Sequence, residues 1–219
     1  MMPSRNHYLI QYWKGHGSLM LTAVDGRATF LRVMVIGSSG AGKSTLARQL
    51  GQKLNLPVIH LDRHYWHAGW VGTPLHEWRE TVRQFSARSH WIMDGNYRST
   101  LAERASAADT VIFLDLPRWL CVMRVIKRRV QHNRQPRPDM APGCVEKLLD
   151  PELPAYLNHI WQYERRARPH VVYWLQQLDP EKRVLWLRTR REIAALIKCP
   201  ITYAGLTLGR QRLPFSAAI

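Results

Sequence analysis

The sequence predicts an α/β fold built on a parallel sheet, and three observations carry that prediction. Short apolar, β-branched runs alternate with helical patterns along most of the chain, as parallel sheets require, because each crossover between parallel strands returns through a helix. The first run leads into the glycine-rich stretch Val33-Met-Val-Ile-Gly37-Ser-Ser-Gly40-Ala-Gly42-Lys43-Ser44-Thr45, and the helix former Leu46-Ala-Arg-Gln-Leu50 follows it. Strand, loop and helix in that order are the setting in which a phosphate-binding loop works. Third, Gly37, Asp62, Asp94, Asp115 and Arg188 fall at or just past the ends of these runs, at the carboxyl edge where open α/β sheets hold their ligands.

Strands are expected at 31–36, 57–61, 91–93, 110–114 and 183–187. Between them, residues 75–88 have helical spacing, and 117–132 form a longer helical pattern with Pro117 in its first turn. Residues 133–143 contain Pro136, Pro138 and Pro142 together with Arg134 and Arg137. Proline cannot continue a helix, so this stretch reads as a proline-pinned basic loop, placed after the fourth strand where a closing lid would sit. A further helix runs from about Pro154, is disturbed at Pro169 and resumes to Leu178. Residues 1–30 and 199–219 lack this patterning and read as an N-terminal extension and a C-terminal tail, loosely docked at most.

With 219 residues, 46% of them hydrophobic, the chain is long enough for one domain with a substantial core. Lys and Arg outnumber Asp and Glu by 32 to 16, a formal charge of +16, which draws polyanions: nucleotides, nucleic acid or acidic membranes. A nucleotide site accounts for only a few of those cations, so nucleic acid stays open as a partner. Cys121, Cys144 and Cys199 are widely spaced with no C-x-x-C pair, which argues against a zinc or dithiol site and for free thiols in a reducing compartment. The sequence contains no apolar run of membrane-spanning length, and Lys14 and His16 interrupt the N-terminal stretch, so a cytoplasmic protein without membrane contact is expected.

The loop residues Gly37, Ser38, Ser39, Gly40, Ala41, Gly42, Lys43, Ser44 and Thr45 are the expected nucleotide-binding set. Glycines let backbone N–H groups curl round phosphates, Lys43 supplies a point charge for the β/γ-phosphates, and Ser44 offers its hydroxyl to Mg²⁺. Asp94 ends a strand in Asp94-Gly95-Asn96, a place for a carboxylate that holds Mg²⁺ directly or through water. Asp62 closes the second run and could take an acceptor's hydroxyl proton, hold the metal, or merely cap the next segment. Asp115 precedes a proline-initiated helix and is expected to cap it. Arg124 and Arg128, four apart on one helix face, could reach one phosphoryl group. Tyr65, Trp66 and Trp70 read as local core before a stacking platform, and His60, His64 and His67 as non-ligands.

The loop taken with Asp94-Gly-Asn-Tyr-Arg98, Phe113-Leu-Asp-Leu-Pro-Arg-Trp119 and Arg137-Pro-Asp-Met140 resembles the topology modulation proteins, an adenylate-kinase-like branch of P-loop NTPases, over roughly residues 32–198. The resemblance implies a three-layer, nucleotide-kinase-like P-loop NTPase fold with a five-stranded parallel sheet in the order 2-3-1-4-5, ATP at the loop and a lid at about 133–143. Adenylate kinases carry Asp-Gly-Phe-Pro-Arg after the third strand; Asp94, Gly95 and Arg98 match, whereas Asn96 and Tyr97 depart. His60-Leu-Asp-Arg63 is similar instead to small-molecule kinases whose Asp handles an acceptor hydroxyl. The expected activity is phosphoryl transfer from Mg·ATP to a nucleoside, nucleotide or other small acceptor, with Lys43, Asp62, Arg124 and Arg128 catalytic and Ser44 and Asp94 on the metal. A nucleotide-binding, DNA-associated regulator and a simple NTP hydrolase remain alternatives.

Overall fold

Alternate side chains of the first strand, β1 (Arg32–Gly37), enter different halves of the core. Val33 and Val35 face one apolar cluster and Met34 and Ile36 the other, so this strand is covered on both sides, as the period of two requires. The computed structural model describes residues 31–179 and 182–198; the extension expected at 1–30, the tail at 199–219 and Cys199 lie outside the described residues.

After β1 come α1 (Lys43–Leu54), β2 (Val58–His60), α2 (Leu61–Tyr65), a hairpin of β3 (Trp66–His67) and β4 (Val71–Gly72), and α3 (Leu75–Ser86). Then follow β5 (Trp91–Asp94), a 3-10 turn at Arg98–Thr100, α4 (Leu101–Ala107), β6 (Thr110–Leu114), α5 (Arg118–Gln131), α6 (Leu153–Arg166), α7 (Arg168–Gln176), β7 (Arg183–Leu187) and α8 (Arg190–Lys198). The main sheet has five strands, all parallel, side by side as β2-β5-β1-β6-β7. Counted among that sheet's own strands the order is 2-3-1-4-5; the hairpin strands, which were not expected, account for the higher labels. On one side α1, α5, α6 and α8 contribute Leu46, Leu50, Leu120, Val125, Ile160 and Leu196 to the core. On the other, α3, α4 and α7 contribute Trp78, Val82, Phe85, Ala105 and Leu175. These are the three layers of a P-loop α/β fold.

Two departures from the expected elements have local causes. The second strand stops at His60 rather than continuing through 61, because β2 has a ladder partner only over 58–60. Its neighbour β5 ends at Asp94, and Gly95 at φ +141° turns that chain away. Leu61 and Asp62 then open α2. The helix α4 and the hairpin are short, seven residues and two residues per strand, below the length at which hydrophobic periodicity identifies an element.

One buried cation organises the turn beyond β5. Arg104 of α4 is fully buried, and its guanidinium donates to the carbonyls of Gly95 (3.0 Å), Asn96 (2.8 Å), Tyr97 (3.1 Å) and Thr100 (3.3 Å). Burial draws its pKa down to about 10 against the opposing pull of Glu103, Tyr97 and Asp94, so the group remains charged at neutral pH. Arg104→Leu removes all of these donors from the turn at once, which we expect to cost about 3 kcal/mol or more. A urea titration of the variant would show it as a lowered midpoint; an unchanged midpoint would contradict this account of the turn.

Candidate active site

Gly40 adopts φ +81°, and a Cβ there would run into the carbonyl of Cys121 on α5, so glycine is required both by conformation and by the approach of that helix. Gly42, at φ +99°, caps α1 with no side-chain hydrogen bond, and the first turn of α1 carries no acidic residue. The exposed N–H groups and the positive end of the helix dipole are thereby left for an anion. Gly37 ends β1 and its N–H donates to Asn96 Oδ1 at 3.1 Å. Ser38, Ser39 and Ala41 form the turn itself, closed by Ala41 N–H donating to the Ser38 carbonyl. Lys43, Ser44 and Thr45 begin α1, and Lys43 Nζ donates to the Ser38 carbonyl at 3.1 Å, folding its ammonium back over the loop.

Asp94 lies across from this loop, 4% exposed. Its Oδ2 accepts the Ser44 hydroxyl at 2.6 Å, and its Oδ1 meets His60 Nδ1 at 2.5 Å. Ser44 and Asp94 thus present two hard oxygen donors side by side at the mouth of the loop. That suits Mg²⁺, which takes few protein oxygens and keeps several waters. His60, read from the sequence as a non-ligand, sits directly beside it. The missed signal was positional: His60 and Asp94 are the last residues of adjacent parallel strands and pair in register.

The next residues of the same segment form a second polar group. Tyr97 O–H donates to Asp62 Oδ1 at 2.7 Å. Burial first, then the Asp62 charge, push the phenol well above its ordinary range and keep it a donor. Asp62 stands in the first turn of α2 rather than closing a strand, and no side-chain cap marks that helix. Tyr65, Trp78 and Tyr97 pack ring against ring at 4.7 to 5.1 Å, as local core. Trp66 and Trp70 extend this cluster outward, with Trp70 37% exposed at φ +64°.

The arginines of α5 divide. Arg124 reaches the loop, its Nη1 donating to the Ala41 carbonyl at 2.9 Å. Arg128 does not: it forms a bidentate pair with buried Glu146 (2.7 and 3.2 Å). The expectation that both share one phosphoryl group is therefore corrected, because the segment after α5 folds back and supplies acids that pair with its arginines. Glu146 Oε1 also accepts from Arg137 at 2.7 Å, Arg137 binds Asp139 at 2.6 Å, and Arg129 binds Asp150 at 3.1 Å. This segment, which contains the stretch 133–143 expected as a lid, also rests on the hairpin: Cys144 Sγ–H donates to the His67 carbonyl, and Met140 and Cys144 pack with Trp66. Asp115 is corrected too. It caps nothing, and instead accepts from Arg168 (2.8 Å) and Trp186 Nε1 (2.8 Å), joining β6 to α7 and β7.

The loop, its helix and the parallel sheet define a three-layer P-loop NTPase fold of nucleotide-kinase-like topology. No family model matches the chain. It is similar to the adenylate kinase of Moorella thermoacetica, 25% identical over 189 residues, covering 67% of this chain and 87% of that protein. Among solved structures, a shikimate kinase from Acinetobacter baumannii in complex with shikimate is 16% identical with a TM-score of 0.47, covering 77% of this chain and 89% of that one. A gluconokinase from Sinorhizobium meliloti 1021 is 17% identical with a TM-score of 0.44, over 78% and 89% of the two chains.

The ion pairs of the segment after α5 make it acid-sensitive. Burial works to raise the Asp139 carboxyl, but the Arg137 hydrogen bonds and charge outweigh it and His60 adds to them, so it sits below its ordinary range. Stability from a carboxyl held low is complete above its unfolded-state pKa and is lost as pH falls through the lower folded-state value. Arg137→Met, which leaves Asp139 unpaired and Glu146 with Arg128 alone, should destabilise by about 3 kcal/mol and flatten the acid-side slope. Urea midpoints taken between pH 3 and 7 would reveal both; parallel curves for the two proteins would refute the assignment.

Proposed function

We propose that the protein is an ATP- and Mg²⁺-dependent phosphotransferase acting on a small hydroxyl-bearing acceptor. The observation that carries the reading is the Ser44–Asp94 oxygen pair at the mouth of the loop, with a second carboxylate, Asp62, held by Tyr97 just past the end of the neighbouring strand. The similarity to an adenylate kinase supports the reaction class.

The loop amides and Lys43 hold the β/γ-phosphates, and Arg124, anchored on Ala41, adds positive charge beside them. Ser44 and Asp94 would hold Mg²⁺, which neutralises phosphate charge when bound. Asp62 orients the acceptor hydroxyl and receives its proton through the oxygen that Tyr97 leaves open. The segment 133–150, resting on the hairpin, limits water at the acceptor side and so favours transfer over hydrolysis. A hydroxyl acceptor is preferred to a monophosphate because the segment His60-Leu-Asp-Arg63 offers a carboxylate, Asp62, held by the Tyr97 hydroxyl, which suits a proton-bearing acceptor. The kinship with topology modulation proteins rests on the quoted sequence segments alone.

Purified protein with Mg·ATP and a panel of nucleosides, polyols and other small alcohols should release ADP only with a matching acceptor. Lys43→Ala should lower turnover by about 10²–10³-fold. Asp62→Asn should lower kcat by about 10²-fold with ATP affinity unchanged. ADP release that ignores every acceptor would turn the reading to hydrolysis, and full activity in both variants would end it.

A further inference from the structure

The imidazole of His60 has no part in the proposed transfer, yet it sits within the site. Its side chain is 13% exposed and its Nδ1 lies 2.5 Å from Asp94 Oδ1, while the opposite carboxylate oxygen is taken by Ser44. The placement follows from the sheet. The register that pairs His60 with Asp94 sets two adjacent parallel strands ending level, so both side chains emerge at the same height beside the loop.

A carboxylate held by a single hydroxyl can still rotate about its Cβ–Cγ bond. A second donor on the other oxygen fixes its plane and commits Oδ2 to the direction of Ser44. We infer that His60 is a positioning residue: its Nδ1–H donates to Asp94 Oδ1 and holds the carboxylate where, together with Ser44, it receives a divalent cation. Carboxylates that bind metal are commonly oriented by such an outer hydrogen bond, and loss of the partner weakens metal affinity by about 10 to 100-fold. The inference rests on the reading of Ser44 and Asp94 as the cation site. Because the hydrogen bond of His60 goes to Asp94 and not to a loop residue, its loss should produce a defect in metal affinity and none in the metal-independent part of nucleotide binding.

The test uses the full chain and Mn²⁺ as the probe, titrated by electron paramagnetic resonance with a non-hydrolysable ATP analogue. Analogue affinity in chelator is measured in parallel. His60→Leu, which fills the space without a donor, should weaken Mn²⁺ binding about tenfold and leave analogue affinity in chelator unchanged. His60→Asn, whose amide N–H falls close to the position of Nδ1–H, should restore most of the lost affinity. Equal Mn²⁺ affinity in His60→Leu and the natural protein overturns the positioning role alone. So does a loss that His60→Asn shares in full. If the natural protein binds no Mn²⁺ with the analogue, the cation site fails and this inference with it. A variant that also loses analogue affinity in chelator reports a damaged loop, and counts against a role specific to the metal.

Discussion

The buried guanidinium of Arg104 is the constraint on which the site depends. By donating to the carbonyls of Gly95, Asn96, Tyr97 and Thr100 it shapes the chain that leaves β5. Three neighbouring residues of that chain serve three parts of the site. Asp94 binds Ser44, Asn96 ties the N–H of Gly37 and so the root of the loop, and Tyr97 holds Asp62. A cation with no exposure is tolerated here because carbonyl dipoles and nearby acids replace the water it lost. Ser44, the root of the loop and Asp62 thereby all depend on one turn.

A second buried ionic network governs the other wall. Glu146 takes both Arg128 and Arg137, and Arg137 in turn holds Asp139. Buried pairs of this kind contribute little net stability but resist rearrangement, since separating one partner strands a charge in a poor solvent. The segment between α5 and α6 is therefore held in one place by charge and by its small apolar contact with Trp66. Arg128, Arg129 and Arg137 are thereby committed to Glu146, Asp150 and Asp139 and not to an outside anion.

Much of the fold was legible because it is written in neighbouring residues. Each main strand is a short apolar run, α5 opens behind Pro117, and α6 and α7 divide near Pro169. The departures were where length or partnership decided: β2 stops where its neighbour stops, and α4 and the hairpin are too short to carry a period. The conformation of the loop was equally legible, since it is enforced by glycines adjacent to Lys43 and Ser44. Residues such as Arg104 and His60 carried no local mark of their roles. A buried arginine beside a glutamate in a short helix and a histidine near two others look the same as solvated ones until their surroundings are known.

The sequence by itself determined the alternation of strands and helices, the phosphate-binding loop and the carboxylates at the strand ends, because each follows from spacing or backbone preference within a few residues. Only the tertiary structure decided partnership. It sent Arg124 to the loop, 83 residues away, and Arg128 to Glu146, although the two share one helix face. It set His60 against Asp94, 34 residues apart, and turned Asp115 from a cap into the acceptor for Arg168. The reason is physical: an ionised side chain goes to whichever opposite charge or dipole the packing brings within reach, and that is a property of register and crossover geometry rather than of sequence neighbourhood.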